Sequence, residues 1–262
     1  MIQSAPEPST HVVCAYLVQG SADTLARQAF PPGSLVYQLS YDRPATSEKA
    51  AESLFSNTAS WAGGRNLLLE AALTHAGGDI DYFVFCDDDV VFAEGDFLAF
   101  ERMLAETRPR IGFPLMPKAA QSPTLDPALT VQRALAIDEQ MVAVHRSMIG
   151  ERGIAPLIVE HDGVSWYVAS LIFEYLCLTR NAAFTHQYNQ IVVENDGHVW
   201  VDGQTLYHRG DFAEMLRVVE QALTDLTGGY DPSVIEQFDP AAVQNHAARI
   251  IDRAAIANLS RS

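Results

Sequence analysis

Residues 82–92 read Tyr82-Phe83-Val84-Phe85-Cys86-Asp87-Asp88-Asp89-Val90-Val91-Phe92, and their reading decides the fold. An apolar run of strand length ends in three consecutive carboxylates, and a second apolar run follows at once. Adjacent aspartates repel one another, and burying them unpaired costs solvation free energy. Packing gives no reason to set them between apolar runs, whereas a cation does. Side chains alternate at a strand end, so Asp87 and Asp89 reach one ion while Asp88 faces elsewhere. Oxygen donors of this kind suit Mg2+ or Mn2+. The competing reading is an acidic turn that caps the next segment. In an open α/β sheet the aspartates would stand at the C-terminal strand end, where ligands bind.

The flanking sequence supports such a sheet. His11–Val18 and Ser34–Tyr41 read as strands, with a short helix over Ser21–Phe30 between them. Glu48–Phe55 reads as a further helix. Gly63-Gly64 opens a strong helical run over Arg65–Ala76, which Gly77-Gly78 closes. Tyr82–Cys86 is the strand that delivers the aspartates. Phe97–Glu106 is a helix and Ile111–Met116 a strand. Residues 117–130 read as a proline-containing loop, Gln140–His145 as a strand and Ser165–Leu178 as an apolar helix. Phe184–Val193 and His198–Val201 read as strands, and the pattern is helical from Phe212 onward. The alternation predicts an α/β fold with a mainly parallel central sheet flanked by helices. The expected organisation is a disordered lead over 1–10, a catalytic domain over 11–210 and a helical C-terminal extension over 211–262.

Composition narrows the function. Of 262 residues, 17 are Lys or Arg and 33 are Asp or Glu, a net charge of −16. Such a surface repels nucleic acid on average, and an anionic small substrate would need a local cation. The aspartate cluster is a place to hold one. Cys14, Cys86 and Cys177 each lie in an apolar run at no metal-like spacing, as buried hydrophobes in a reducing, cytoplasmic setting. No run approaches the ~20 residues of a membrane span. The N-terminus lacks the basic region of a signal peptide.

Two stretches together resemble a family. Trp61-Ala62-Gly63-Gly64-Arg65-Asn66 followed by Phe83-Val84-Phe85-Cys86-Asp87-Asp88-Asp89 looks like the nucleotide-sugar-dependent glycosyltransferases of GT-A fold, Asp-X-Asp type and family-2-like. The resemblance spans residues 11–200. It implies transfer of a sugar from a nucleoside-diphosphate sugar, with Mn2+ or Mg2+ held against the diphosphate. Asp89 is then the direct metal ligand, and Asp87 contacts the ribose or a metal-bound water. Asp88 and Gly64 join the nucleotide-binding set, and Tyr41-Asp42 is where a nucleobase would sit. A simple turn is the alternative for Tyr41-Asp42. Arg65 suits a phosphate on physical grounds too, through its planar guanidinium and its place at a helix start; an exposed arginine paired with a nearby acid is the alternative. The family pattern also expects a late metal-binding histidine. Among His186, His198 and His208, Asn195-Asp196-Gly197-His198 is most like its closing element, and imidazole there tilts the choice toward Mn2+.

An inverting transferase needs a general base near the acceptor hydroxyl. Glu160-His161-Asp162-Gly163-Val164-Ser165-Trp166 offers Glu160 and Asp162 just before an aromatic helix start that can stack on a sugar. Asp162 equally suits a helix cap. His145 and Arg146 stand either near the acceptor or at a solvated strand end. The acceptor is expected to be a saccharide or other small molecule. The final helices would pack on the core, cover the acceptor cleft or form a homodimer contact. Two other functions stay open. A haloacid-dehalogenase-type phosphohydrolase would use Asp87 as nucleophile, although two strands precede the motif and the only lysines are Lys49 and Lys118. A non-catalytic sugar-nucleotide-binding module would lack the base.

Overall fold

The computed structural model describes residues 11–23, 28–75, 79–116, 128–195 and 212–234. In chain order the strands are β1 (Cys14–Gly20), β2 (Leu35–Ser40), β3 (Glu52–Phe55), β4 (Tyr82–Asp87), β5 (Val90–Glu94), β6 (Ile111–Leu115), β7 (Val131–Arg133), β8 (Met141–His145) and β9 (Thr185–Asn195). The helices are α1 (Trp61–His75), α2 (Phe97–Thr107), α3 (Tyr167–Leu178) and α4 (Phe212–Thr227). The strands form one sheet in the order β3-β2-β1-β4-β8-β6-β9-β5, with β7 also paired to β9. β3, β2, β1 and β4 are parallel neighbours, and β6 runs parallel to β9. β8, β5 and β7 are antiparallel to their partners. The expected α/β fold with a mainly parallel central sheet is therefore present.

The apolar runs explain why β1 and β4 lie at the centre. Their side chains alternate between two cores: Ala15, Leu17, Phe83 and Phe85 enter one, and Cys14, Tyr16, Val18, Tyr82, Val84 and Cys86 enter the other. A strand covered on both faces must be apolar at nearly every position. The first core also takes α1, α3 and α4, and the second takes Phe97, Phe100 and Leu104 of α2. All three cysteines are free thiols and buried. α2 starts at Asp96, whose Oδ1 accepts from the Ala99 N–H at 2.6 Å, and ends at Arg108 in the left-handed region, φ 46°.

Several boundaries differ from the sequence reading. Glu48–Phe55, read as a helix, holds strand β3 at the edge of the sheet, paired with β2 from Tyr37↔Glu52 to Ser40↔Phe55. Eight residues make a marginal isolated helix, and pairing with an existing strand edge outweighs that propensity. α1 begins at Trp61, four residues before Arg65, because Ser60 caps it: its Oγ accepts from the Gly63 N–H at 2.9 Å. Gly63 and Gly64 therefore lie inside the first turn. β5 and the three-residue β7 were not anticipated. The centre of the helix read over Ser21–Phe30, the Gly77-Gly78 stop, the His198–Val201 strand and the lead over 1–10 lie outside the described residues. Among the described residues no helix is long and apolar enough to cross a membrane.

Candidate active site

The C-terminal ends of β1, β2 and β4 meet at the aspartates. Gln19 of β1 is the direct neighbour of Asp87, and the Tyr41 N–H donates to the Gly20 carbonyl at 3.2 Å. Beyond β1, the Ser21 N–H donates to Asp88 Oδ2 and the Ala22 N–H to Asp42 Oδ1, both at 2.8 Å. Buried Gln38 donates to the Ser21 carbonyl at 3.2 Å. The turn after β1 thus ties Asp88 to Asp42. Tyr41 stands over the same cluster, its phenol pushed up by partial burial and then by Asp88, Asp42, Asp89 and Asp87.

Asp87 and Asp88 have different surroundings. Asp88 turns toward β1 so closely that a Cβ on Gly20 would lie 2.1 Å from its own Cβ. Asp87 Oδ1 accepts from Arg65 Nη2 at 2.7 Å, and the same Nη2 donates to the Glu139 carbonyl at 2.8 Å. The Arg65 side chain is 2% exposed and that of Asp87 26%. The guanidinium also lies 4.1 Å from the Trp61 ring centroid, within cation–π range. Burial pushes the Asp87 carboxyl up, Arg65 opposes this by charge and hydrogen bond, and Asp89 and Asp88 push it further up. Arg65 is therefore the buried partner of Asp87, a different setting from the exposed arginine weighed above.

The two base candidates also part company. Glu160 is exposed and paired with Arg152 at 2.6 Å; a bond from its own backbone N–H, then Arg152, hold its carboxyl below the usual range. Asp162 is partly buried, and its Oδ2 accepts from the Ser60 hydroxyl. Burial pushes Asp162 up against the pull of that hydrogen bond. Ser60 in turn accepts at its carbonyl from Gln19 Nε2 at 3.4 Å. Contacts therefore run from Asp162 through Ser60 and Gln19 to the strand neighbour Asp87.

Other residues are placed elsewhere. His145 pairs with Tyr82 at the opposite end of β4, and Arg146 follows it, so of the two readings both residues take the strand end. His186 is buried on β9, three strands from β4, about 14 Å at sheet spacing. His198 and His208 lie outside the described residues. Asn195, the last residue of β9, pairs with Val90, which directly follows Asp89.

Sequence reasoning missed Ser60, Gln19 and Glu139. Ser60 carried a signal, a serine three residues before Gly63 at a helix start. Asp138-Glu139 also carried one, two carboxylates at the mouth of a buried strand. Their neighbour Gln140 accepts the Asp87 N–H at its carbonyl, 2.8 Å. Burial, then Asp138, push the Glu139 carboxyl up to about 8, against a 2.9 Å bond from Ser170.

Among the described residues no group of three or more His, Cys, Asp or Glu forms a metal cage. Arg65 and the Ser21 N–H already engage Asp87 Oδ1 and Asp88 Oδ2. Mg2+ in nucleotide sites is held by one or two carboxylates plus substrate phosphates, so a protein cage of three is not required there.

No protein-family model and no curated protein matches the chain. Solved structures do. TarS of S. aureus, residues 1–349 in complex with UDP-GlcNAc, superposes with a TM-score of 0.55 at 12% identity, covering 86% of this chain and 71% of that one. The same fragment without that ligand gives 0.52 at 11% identity over 89% and 71%. A longer TarS structure gives 0.53 at 11% identity over 86% of this chain and 42% of that one. At these identities the likeness is one of fold, the GT-A arrangement of sheet and helices.

Proposed function

We propose that the chain is a glycosyltransferase that moves a sugar from a nucleoside-diphosphate sugar to a hydroxyl of a saccharide or other small acceptor. The observation that carries this reading is Asp87, fixed by the buried Arg65 at the C-terminal end of β4 in a sheet of GT-A arrangement. Asp87 and Asp89 would hold Mn2+ or Mg2+. When bound, such an ion neutralises charge that builds on a diphosphate leaving group. By the family resemblance, His198 would complete the donor set.

The chain's own groups supply the rest. Arg65 orients Asp87. Tyr41 and Asp42, on the loop beside Asp88, face the nucleobase. Gly64 lets α1 approach β1, since a Cβ there would lie 2.6 Å from Gln19 Nε2. Asp162 takes the proton of the acceptor hydroxyl; its raised affinity for a proton suits a base better than the arginine-paired Glu160 does.

The reading is tested by thermal stabilisation with UDP and GDP, each with and without Mn2+. Stabilisation that requires the metal is expected and is lost in Asp89→Asn. A protein that ignores both nucleotides but hydrolyses small phosphomonoesters would instead be the phosphohydrolase, with Asp87 as nucleophile. The tie from Asp87 Oδ1 to Arg65 speaks against that role. Stabilisation without any sugar-nucleotide turnover would make it a binding module.

A further inference from the structure

We propose that Ser60 is a positioning residue for the transfer, fixing the Asp162 carboxylate to the helix that carries Arg65. The inference rests on the reading of Asp162 as base. A serine hydroxyl has one hydrogen to donate and two lone pairs to accept with. Ser60 Oγ accepts from the Gly63 N–H at 2.9 Å, so its hydrogen is directed to Asp162 Oδ2. One hydroxyl thereby caps α1 and orients a carboxylate 102 residues away in sequence.

A second lock holds the same loop to the same helix. Asn66 Nδ2 donates to the Leu157 carbonyl and Asn66 Oδ1 accepts from the Leu157 N–H, each at 2.9 Å. The Trp61 and Trp166 rings, 5.8 Å apart, add apolar contact between α1 and the residues after Asp162. α1 thus carries Arg65, which fixes Asp87, and holds the loop that bears Asp162. A rigid element shared by donor side and acceptor side sets the spacing between leaving group and base, which an in-line displacement needs. Three groups act on the Asp162 charge: the Ser60 hydroxyl at the start of α1 stabilises it, Glu160 on its own loop repels it, and positive charge on His161 of that loop favours it.

The test compares wild type, Ser60→Gly and Ser60→Thr. Glycine is tolerated as a helix cap, so Ser60→Gly removes the hydroxyl with little loss of the helix. Two readouts are used: the titration of the Asp162 carboxyl carbon by NMR, and the pH dependence of kcat/KM for sugar transfer in Mn2+. In Ser60→Gly the Asp162 titration is expected to move up by about one pH unit, the size of one lost hydrogen bond to a carboxylate. The acid limb of the rate profile moves with it, KM for the nucleotide sugar stays within about twofold if only the base is affected, and Ser60→Thr restores both. If wild type transfers sugar but Asp162 titrates alike in wild type and Ser60→Gly, the inference falls and the proposed function stands. If the titration moves in a protein that transfers nothing, the proposed function falls and takes the role of Ser60 with it.

Discussion

Arg65 bridges the Asp87 carboxylate and the Glu139 carbonyl from a position only 2% exposed. Removing one partner of a buried ion pair leaves the other charge uncompensated. Arg65→Ala is therefore expected to lose about 3 kcal/mol of stability in urea denaturation. Arg65→Lys should recover only part of this, because an ammonium lacks the planar fork. An alanine variant within about 0.5 kcal/mol of wild type, the usual range for surface changes, would show that the pair is not structural. Glu139 gives a pH-dependent expectation. Its carboxyl, ordinarily near 4.5, is pushed up to about 8 by burial and by Asp138. Between those values the folded state binds more protons than the unfolded one, so stability falls as pH rises, by at most about 1.4 kcal/mol per pH unit for one group. Glu139→Gln keeps an acceptor for Ser170 and removes the titration. Its unfolding midpoint should depend less on pH from 5 to 8 than that of wild type. Equal slopes in the two proteins would contradict this.

At the scale of elements, two glycines test how tightly strand ends and helix are fitted. A Cβ at Gly20 would meet the Cβ of Asp88 at 2.1 Å, an atom that cannot move without the aspartate turn. A Cβ at Gly64 meets the far end of the Gln19 side chain, which can swing away. Gly20→Ala should therefore cost about 1–3 kcal/mol, as overpacking does, and weaken metal-dependent nucleotide binding. Gly64→Ala should be milder in both. The reverse order would mean that the β1 end yields more easily than the Gln19 amide. The same elements show what a sequence reveals. β1 and β4 were legible because strands buried on both faces must be apolar throughout. β3 was misread because its preference is set by the β2 edge it joins. β5 was hidden because its pairing is with β9, about a hundred residues later in the chain. The aspartates announced themselves through the cost of their charge. The Ser60–Asp162 contact left no local trace beyond a helix-cap serine, and Arg65 gave no sign that it is spent on Asp87.

At the scale of the molecule, a sheet with six strands running one way gathers the ends of β1, β2 and β4 on a single side. α1 ties that side to the loop bearing Asp162. Given a net charge of −16, a diphosphate is held only where local cations outweigh the average field. Arg65 is already paired with Asp87, so a divalent ion would have to supply that charge. The most direct measurement is release of nucleoside diphosphate from UDP- and GDP-sugars in Mn2+, by wild type, Asp89→Asn and Asp162→Asn. Wild type should release it. Asp162→Asn should fall by about 10²–10⁴-fold, the range of a lost general base, while keeping metal-dependent stabilisation by the nucleotide. Asp89→Asn should lose both. Wild-type rates in Asp162→Asn, or nucleotide binding that ignores both Mn2+ and Asp89, would contradict the account.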